Sequence, residues 1–592
     1  MLYPINTNSR IVLSLDGVWN FKLDGEELNE KLVQTPIVNA QLMPVPSSFN
    51  DINEGVEFRD HYGWMWYERT VTVPKSLLSQ RLVLRLDAVT HQGKVYINGK
   101  FVTQHRGGFT PFEAEINEFI IEGKNRITVA VCNIIDESTL PVGGVYVGQR
   151  KDGSTFKIVN PNMDFFNYAG INRSVRIYTT PKNYISDVTI KTDIANSDAT
   201  VRYDIETNGN EHCTVTIYDE EGVQVAEGSG QSGTLMIKDA KLWQPLNAYL
   251  YSMVIKYGDD EYTEQFGIRT VEVKDGQFLI NGKPFYFKGF GKHEDNHISG
   301  RGLNIPAYVK DINLMKWIGA NSMRTAHYPY SEEFLRLCDR EGIVVIDECA
   351  AVGLHFNLSD SFGIWRPGVN TWQHIKTHND HQNAIRELIR RDKNHPCVVM
   401  WSISNEAAET TEGAYEYFKP MFDLARKLDN TRPLTNVSLA GSVSSNNLVA
   451  PLVDVVCLNR YYGWYTQQGD LITAQIELEK EIDGWVEKYP EKPIIFAEYG
   501  ADSINGIHDT TPVMFTEEFQ RDFIAAYSES FDKYKNIVGE HVWNFADFYA
   551  VQGIKRVQGN RKGVFTRERK PKIAAHWLKS RWENIPDFEY KK

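Results

Sequence analysis

Cysteine is scarce in this chain of 592 residues, with six, at positions 132, 213, 338, 349, 397 and 457. None forms a Cys-x-x-Cys pair, so zinc and redox motifs are not expected and buried thiols are. No stretch of about 18 consecutive apolar residues occurs, so no membrane-spanning helix is expected. The opening Met1-Leu2-Tyr3-Pro4-Ile5-Asn6 lacks a basic segment followed by an apolar one. No signal peptide follows from that, and a cytoplasmic location is the expectation. Positive charge is in deficit: 64 Lys and Arg face 77 Asp and Glu, a net charge of −13. That argues against a partner bound through its phosphate backbone, so no nucleic acid is expected. No internal repeat or low-complexity tract is evident.

What the chain has is length and aromatic rings. Its length suggests about three or four domains. Aromatics make up 12% of it, with 13 Trp and 29 Tyr. Flat rings suit sugar sites, but they fill cores equally well.

The first 270 or so residues read as β. Arg81-Leu82-Val83-Leu84-Arg85-Leu86 alternates as a half-buried strand does. Asn98-Gly99 lies between two strand candidates and suits a hairpin turn. Thr179-Thr180-Pro181-Lys182-Asn183 is a plausible break between a first sandwich and a second, smaller one. After about residue 270 the texture changes. Tyr308, Ile312 and Met315 share a helical face that Gly319 can end. Ser331 can cap the next helix, which Gly342 stops. Strand candidates recur at 285–289, 322–325, 343–346, 398–402, 434–437, 455–458, 494–497 and 540–543. Eight such units over about 320 residues fit a (β/α)8 barrel. An open doubly wound sheet is the alternative, but no Gly-x-Gly-x-x-Gly after a strand supports it.

In a barrel the reacting groups stand where strands run into the following loops. Strand four runs into Ser404-Asn405-Glu406, and strand seven into Glu498-Tyr499-Gly500. Glutamates on nearly opposite strands can face each other across the barrel mouth. Glycoside hydrolysis needs such a pair, one as acid and one as nucleophile or base. The plain alternative is two surface glutamates on loops. Glu406, if it is the acid, needs a raised pKa, which an ionised Glu498 helps to supply.

The flanks are more specific. Asn321-Ser322-Met323-Arg324-Thr325-Ala326-His327-Tyr328-Pro329 and the run from Asp392-Lys393-Asn394-His395-Pro396 through Trp401-Ser402 to Asn405-Glu406 resemble two signatures of glycoside hydrolase family 2. The resemblance covers the whole chain. It implies a jelly-roll, sugar-binding-like domain over 1–180, an immunoglobulin-like sandwich over 181–270 and a catalytic TIM barrel over 271–592. It also implies a retaining double displacement, with Glu406 as acid/base and Glu498 as nucleophile. Asn405 would then bond the sugar 2-hydroxyl. Asn459 and Tyr461, in Asn459-Arg460-Tyr461-Tyr462-Gly463-Trp464-Tyr465, would stand near the nucleophile. Homo-oligomers, dimers or tetramers, are also implied.

The family contains galactosidases, mannosidases and glucuronidases. From Lys555 to Lys572 the chain carries eight basic residues opposed only by Glu568. This suggests an anionic ligand, or else a charged face spent on salt bridges. Gly559-Asn560-Arg561-Lys562-Gly563 resembles the Asn-x-Lys segment of the family's β-glucuronidases. On that resemblance Asn560 and Lys562 hold a uronate carboxylate, with Tyr465 and Arg556 beside them. Trp543 would floor the sugar, Asp164 would reach in from the first domain, and His327 would contact hydroxyls. The implied activity is hydrolysis of β-D-glucuronides without a cofactor. A galactosidase, a galacturonidase and a non-catalytic carbohydrate-binding protein are the alternatives. Ala407 and Ala497 depart from the family's usual Pro and Thr without removing a functional group. The segment 353–380 is long for a strand-to-helix connection, and in bacterial relatives an insertion here can overhang the site. His374 and His378, with His381 just past the segment, could share a helical face and ligate a metal, but no acidic or cysteine ligand is clearly placed with them. No metal site is expected.

Overall fold

In the computed structural model, which describes residues 1–356, 366 and 368–591, two β-sandwiches precede a closed eight-stranded parallel barrel. The first sandwich sets a six-stranded sheet against a four-stranded one. Its six strands include Trp64–Val73, Gly123–Cys132 and Gln92–Ile97. Arg81–Leu86 lies in the four-stranded sheet, paired with Val175–Thr180. The hairpin at Asn98-Gly99 forms as its sequence predicts, with both residues at positive φ. The second sandwich packs sheets of three and four strands over Val188, Val201, Val215 and Ile255.

The barrel strands, labelled β1 to β8, are Phe287–Gly291, Ser322–Arg324, Val344–Glu348, Val398–Asn405, Leu434–Ser438, Val456–Asn459, Ile494–Tyr499 and Ile537–Val542. All eight candidates are present, and the sheet closes where β8 pairs with β1. The open-sheet alternative is therefore excluded. Their bounds move by one to three residues. β1 starts at 287, because Phe285 and Tyr286 pair with Phe278, Phe588 and Asp587 beneath the barrel. β8 ends at Val542, so Trp543 stands one residue past it. Strands 3, 4 and 7 run further than their apolar cores. They carry Glu348, Asn405 and Glu498 as strand residues, because the ladder of a closed barrel pairs polar residues as readily as apolar ones.

The helix Ile305–Ile318 is capped by the Asn304 side chain and ended by left-handed Gly319. The helix Glu332–Glu341 is capped by Ser331 and ended by Gly342. In the 353–380 segment, residues 357–365 and 367 lie outside the described residues, and with them any overhang of the site. His374 ends the short helix Thr371–His374, whereas His378 opens the helix His378–Asp392. His381 bonds the Tyr417 hydroxyl and the Ile403 carbonyl. The three histidines therefore do not share one helix. All six cysteines are unpaired and buried. Among the described residues no helix is long and apolar enough to cross a membrane.

The first sandwich and the barrel share a core. Phe109, Leu140, Val142, Met163 and Phe165 belong to the same buried cluster as the barrel strands. Polar anchors cross this seam. Arg85, fully buried, donates to Asp87 at 2.7 Å and to Glu332 of the barrel at 2.5 Å. Breaking a buried pair strands the remaining charge. Replacing Glu332 with alanine should cost on the order of 3 kcal/mol, with Asp87 retaining part of the compensation. Calorimetry should show an earlier unfolding transition, and an unchanged midpoint would contradict this account of the seam.

Candidate active site

Glu406 follows β4 with φ +50° and is held by a bond from its N–H to the Val437 carbonyl, 2.8 Å. A non-glycine residue in the left-handed region is strained, and such strain gathers at functional sites. The turn frees the side chain from the ladder. Its Oε1 accepts from Asn459 Nδ2 at 3.0 Å, and the same amide reaches Asn405 Oδ1 at 3.2 Å. Glu498, near the end of β7, accepts from the Tyr461 hydroxyl at 2.7 Å and from Arg324 Nη2. His327 Nε2 lies 3.7 Å from Glu498.

Arg324 ends β2 and cannot move freely. Its Nη1 donates to both oxygens of Glu348 at 2.7 Å. Glu348 also accepts from Ser402 at 2.7 Å and contacts His327 Nδ1 at 2.9 Å. Trp543 stacks on His327 with ring centres 5.1 Å apart. Gly291 makes room for that indole, since a Cβ there would lie 2.6 Å from it. Gly500 does the same for the backbone, with a Cβ position 2.1 Å from the Trp543 carbonyl.

A second cluster adjoins the first. Tyr461 packs edge-on against Tyr465, ring centres 5.2 Å apart. The Tyr465 hydroxyl accepts from Lys562 Nζ at 3.1 Å and Arg556 Nη2 at 2.9 Å. Arg556 Nε and Asn560 Nδ2 both donate to Asp164, at 2.7 and 2.9 Å, and Asp164 comes from the first sandwich. Lys562 Nζ also meets Asp502. All twelve residues singled out from the sequence thus lie in two neighbouring clusters joined through Tyr461 and Tyr465.

Models of glycosyl hydrolases family 2 match nearly the whole chain: the sugar binding domain over residues 12–181, a second family 2 domain over 173–269, and the TIM barrel domain over 271–586. The chain belongs to glycoside hydrolase family 2. Among its relatives, the Streptococcus agalactiae protein named beta-glucuronidase is 45% identical, over 100% of this chain and 99% of the relative. The human protein of the same name is 42% identical, over 99% and 93%. The structure of Bifidobacterium dentium β-glucuronidase complexed with coumarin-3-O-glucuronide superposes with a TM-score of 0.94. It is 45% identical, with 100% of both chains covered.

The electrostatics of this family 2 site centre on the two glutamates. Burial pushes the Glu498 carboxyl up to about 8; Arg324 and Tyr461 oppose the rise, and the charge on Glu406 adds to it. Glu406 keeps some surface open to the mouth, yet burial raises its pKa too, against the pull of Asn459. Two raised, interacting carboxyls titrate as a pair. Glu498 has a guanidinium and a hydroxyl to stabilise its anion, whereas Glu406 has one amide. Burial lowers the pKa of His327 below its usual value despite Glu348, leaving a neutral ring.

Most of the basic run is not in the site. Arg567 is spent on Asp295, Arg569 on Asp311, and Lys572 and Arg561 on Asp547. The salt-bridge alternative holds for these, whereas Arg556 and Lys562 join the clusters above and Lys555 lies over the Tyr465 ring, 5.7 Å from its centre. Sequence reasoning gave no role to Arg324, Glu348 or Asp502. Arg324 stood inside a quoted motif. Glu348 and Asp502 had a weaker signal, an acidic residue at or just past the end of a buried strand. Among the described residues Asp339, His395 and Cys397 have metal-ligand spacing. They lie before β4, at the opposite end of the barrel. There Asp339 already accepts from His395 and from the Cys397 N–H.

Proposed function

We propose that this family 2 chain is a retaining β-glucuronidase, releasing glucuronic acid from β-D-glucuronides. The observation that carries the reading is a cluster of cationic and amide donors, Lys562, Arg556 and Asn560, one tyrosine pair away from Glu498. Such a cluster suits a sugar whose C6 is a carboxylate, because charge-assisted bonds are the strong ones. The name shared by the relatives supports the same substrate class.

In the proposed reaction Glu406 protonates the glycosidic oxygen while Glu498 attacks the anomeric carbon. The aglycone leaves as an alcohol or phenol, and a glycosyl ester to Glu498 remains. That bond removes the charge of Glu498, so the pKa of Glu406 falls. Now ionised, Glu406 takes a proton from water, whose oxygen attacks the same carbon and frees Glu498. Asn405 would bond the sugar 2-hydroxyl, a contact that strengthens as positive charge develops on the ring. Trp543 would floor the ring, with His327, Asn459 and Asp164 facing its hydroxyls. The chemistry needs only carboxylates, amides and tyrosine, so the proposal includes no cofactor.

Glu498→Gln should abolish turnover of 4-nitrophenyl β-D-glucuronide while leaving the circular dichroism spectrum unchanged. Activity within about tenfold of wild type would remove the nucleophile role, since losing such a group costs far more than that. Lys562→Ala should lower glucuronide kcat/KM by about one to two decades, from about 1.5–3 kcal/mol of charge-assisted bonding. The matched β-galactoside should lose far less, and equal losses would count against a carboxylate clamp. Wild-type preference for galactoside or galacturonide would overturn the substrate assignment.

Tyr461→Phe tests the electrostatics. Glu498 must be ionised to attack, and the Tyr461 hydroxyl lowers its pKa. Removing that bond raises the pKa, so Glu498 stays protonated to a higher pH. The acidic limb of the kcat/KM profile should move upward. A limb that stays put or moves down would show that Glu498 does not set it.

A further inference from the structure

Lys562 and Arg556 do not wait as bare cations. With Asp502 and Asp164 they form a set of two positive and two negative side chains. The two aspartates differ in freedom. The Asp164 side chain comes from the first sandwich and is 19% exposed. The Asp502 side chain is 1% exposed and stands four residues beyond Glu498 on the loop after β7. Its Oδ1 accepts the Arg561 N–H at 2.9 Å, and its Oδ2 meets Lys562 Nζ and lies 3.8 Å from Arg556 Nη1. Burial alone raises its pKa, but Lys562 and Arg556 outweigh that and hold it below the usual range, so it is an anion.

An ammonium has three donors. Among the described residues two of those on Lys562 are taken, by Asp502 and by the Tyr465 hydroxyl. One remains. Asp164 can yield its place on Arg556 and Asn560 to an incoming carboxylate, whereas Asp502 is enclosed and stays.

Resting on the glucuronidase reading, we infer that Asp502 is a positioning residue for substrate selectivity: it tethers the ammonium of Lys562 so that its remaining donor serves the sugar carboxylate. The backbone of the clamp has a separate support. Gln520 Nε2 bonds the carbonyls of Ala501, Lys562 and Gly563 at 3.0, 3.1 and 3.2 Å. Asp502→Asn keeps an acceptor for the Arg561 N–H and puts an NH2 group in place of the charged oxygen facing Lys562. Its effect should therefore fall on the ammonium rather than on the loop.

The experiment compares wild type, Asp502→Asn, Lys562→Met and the double variant on 4-nitrophenyl β-D-glucuronide and 4-nitrophenyl β-D-glucoside. Asp502→Asn should lower glucuronide kcat/KM about tenfold, mostly through KM, with kcat changed less than about threefold. Added to Lys562→Met, the same change should cost less than about threefold, because the residue acts through that lysine. A loss of equal size with and without Lys562, or an unchanged or lower KM for Asp502→Asn, overturns the inference. If Asp502→Asn does not fold, Lys562→Met against the double variant still decides: near-equality supports the tether, and a further tenfold or larger loss, about what an independent structural role would give, refutes it. Wild type without preference for the glucuronide would defeat the glucuronidase reading itself. Wild-type preference lost in Lys562→Met but kept in Asp502→Asn would defeat only the role of Asp502.

Discussion

Arg324, fully buried, bridges Glu348 and Glu498, and the rest of the site depends on how that one cation is shared. An isolated carboxylate at this depth would take up a proton rather than remain charged. Glu348 answers the guanidinium from one side, with Ser402 and His327 completing its shell. Glu498 takes the other side together with Tyr461. A nucleophile must be ionised and still not too well stabilised. One shared guanidinium and one hydroxyl answer Glu498, whereas Glu406 meets a single amide, which suits the proposed division into nucleophile and proton donor.

The charge also sets the geometry. Arg324 ends β2, Glu348 ends β3, Glu498 lies near the end of β7 and Trp543 follows β8. Each is carried by the barrel ladder, so few bonds have to be oriented by flexible chain. Gly291 and Gly500 let β1 and the loop after β7 close on Trp543 without a side chain between them. Glu406, in contrast, stands in a strained turn, where its side chain leaves the ladder and meets Asn459.

The first sandwich completes the site. Met163 and Phe165 are part of the barrel's own core, so the residue between them, Asp164, is held against Arg556 and Asn560. The strand rhythm and the two glutamates were legible because a strand buried on both faces leaves a run of apolar residues, and its end is then marked by polarity. The identities of Asn560, Lys562, Tyr465 and Arg556 came from family likeness, since a basic run alone does not say which of its members are spent elsewhere. Arg567, Arg569 and Lys572 read the same in sequence, yet pair with Asp295, Asp311 and Asp547. The candidate for β1 begins two residues early, because aromatic residues beneath the barrel are as apolar as the strand they adjoin, and β8 begins three residues and ends one residue before its candidate.

The sequence by itself determined the order of sandwiches and barrel, the eight strands and the two carboxylates at the ends of β4 and β7. Those are local properties: periodicity, caps, and polar residues at the edges of apolar runs. Only the tertiary structure decided that Glu348 holds Arg324 against Glu498, that Asp502 holds Lys562, and which cations remain for a ligand. These pairings join residues separated by 24 to 174 positions along the chain, and no local rule specifies which buried charge answers which.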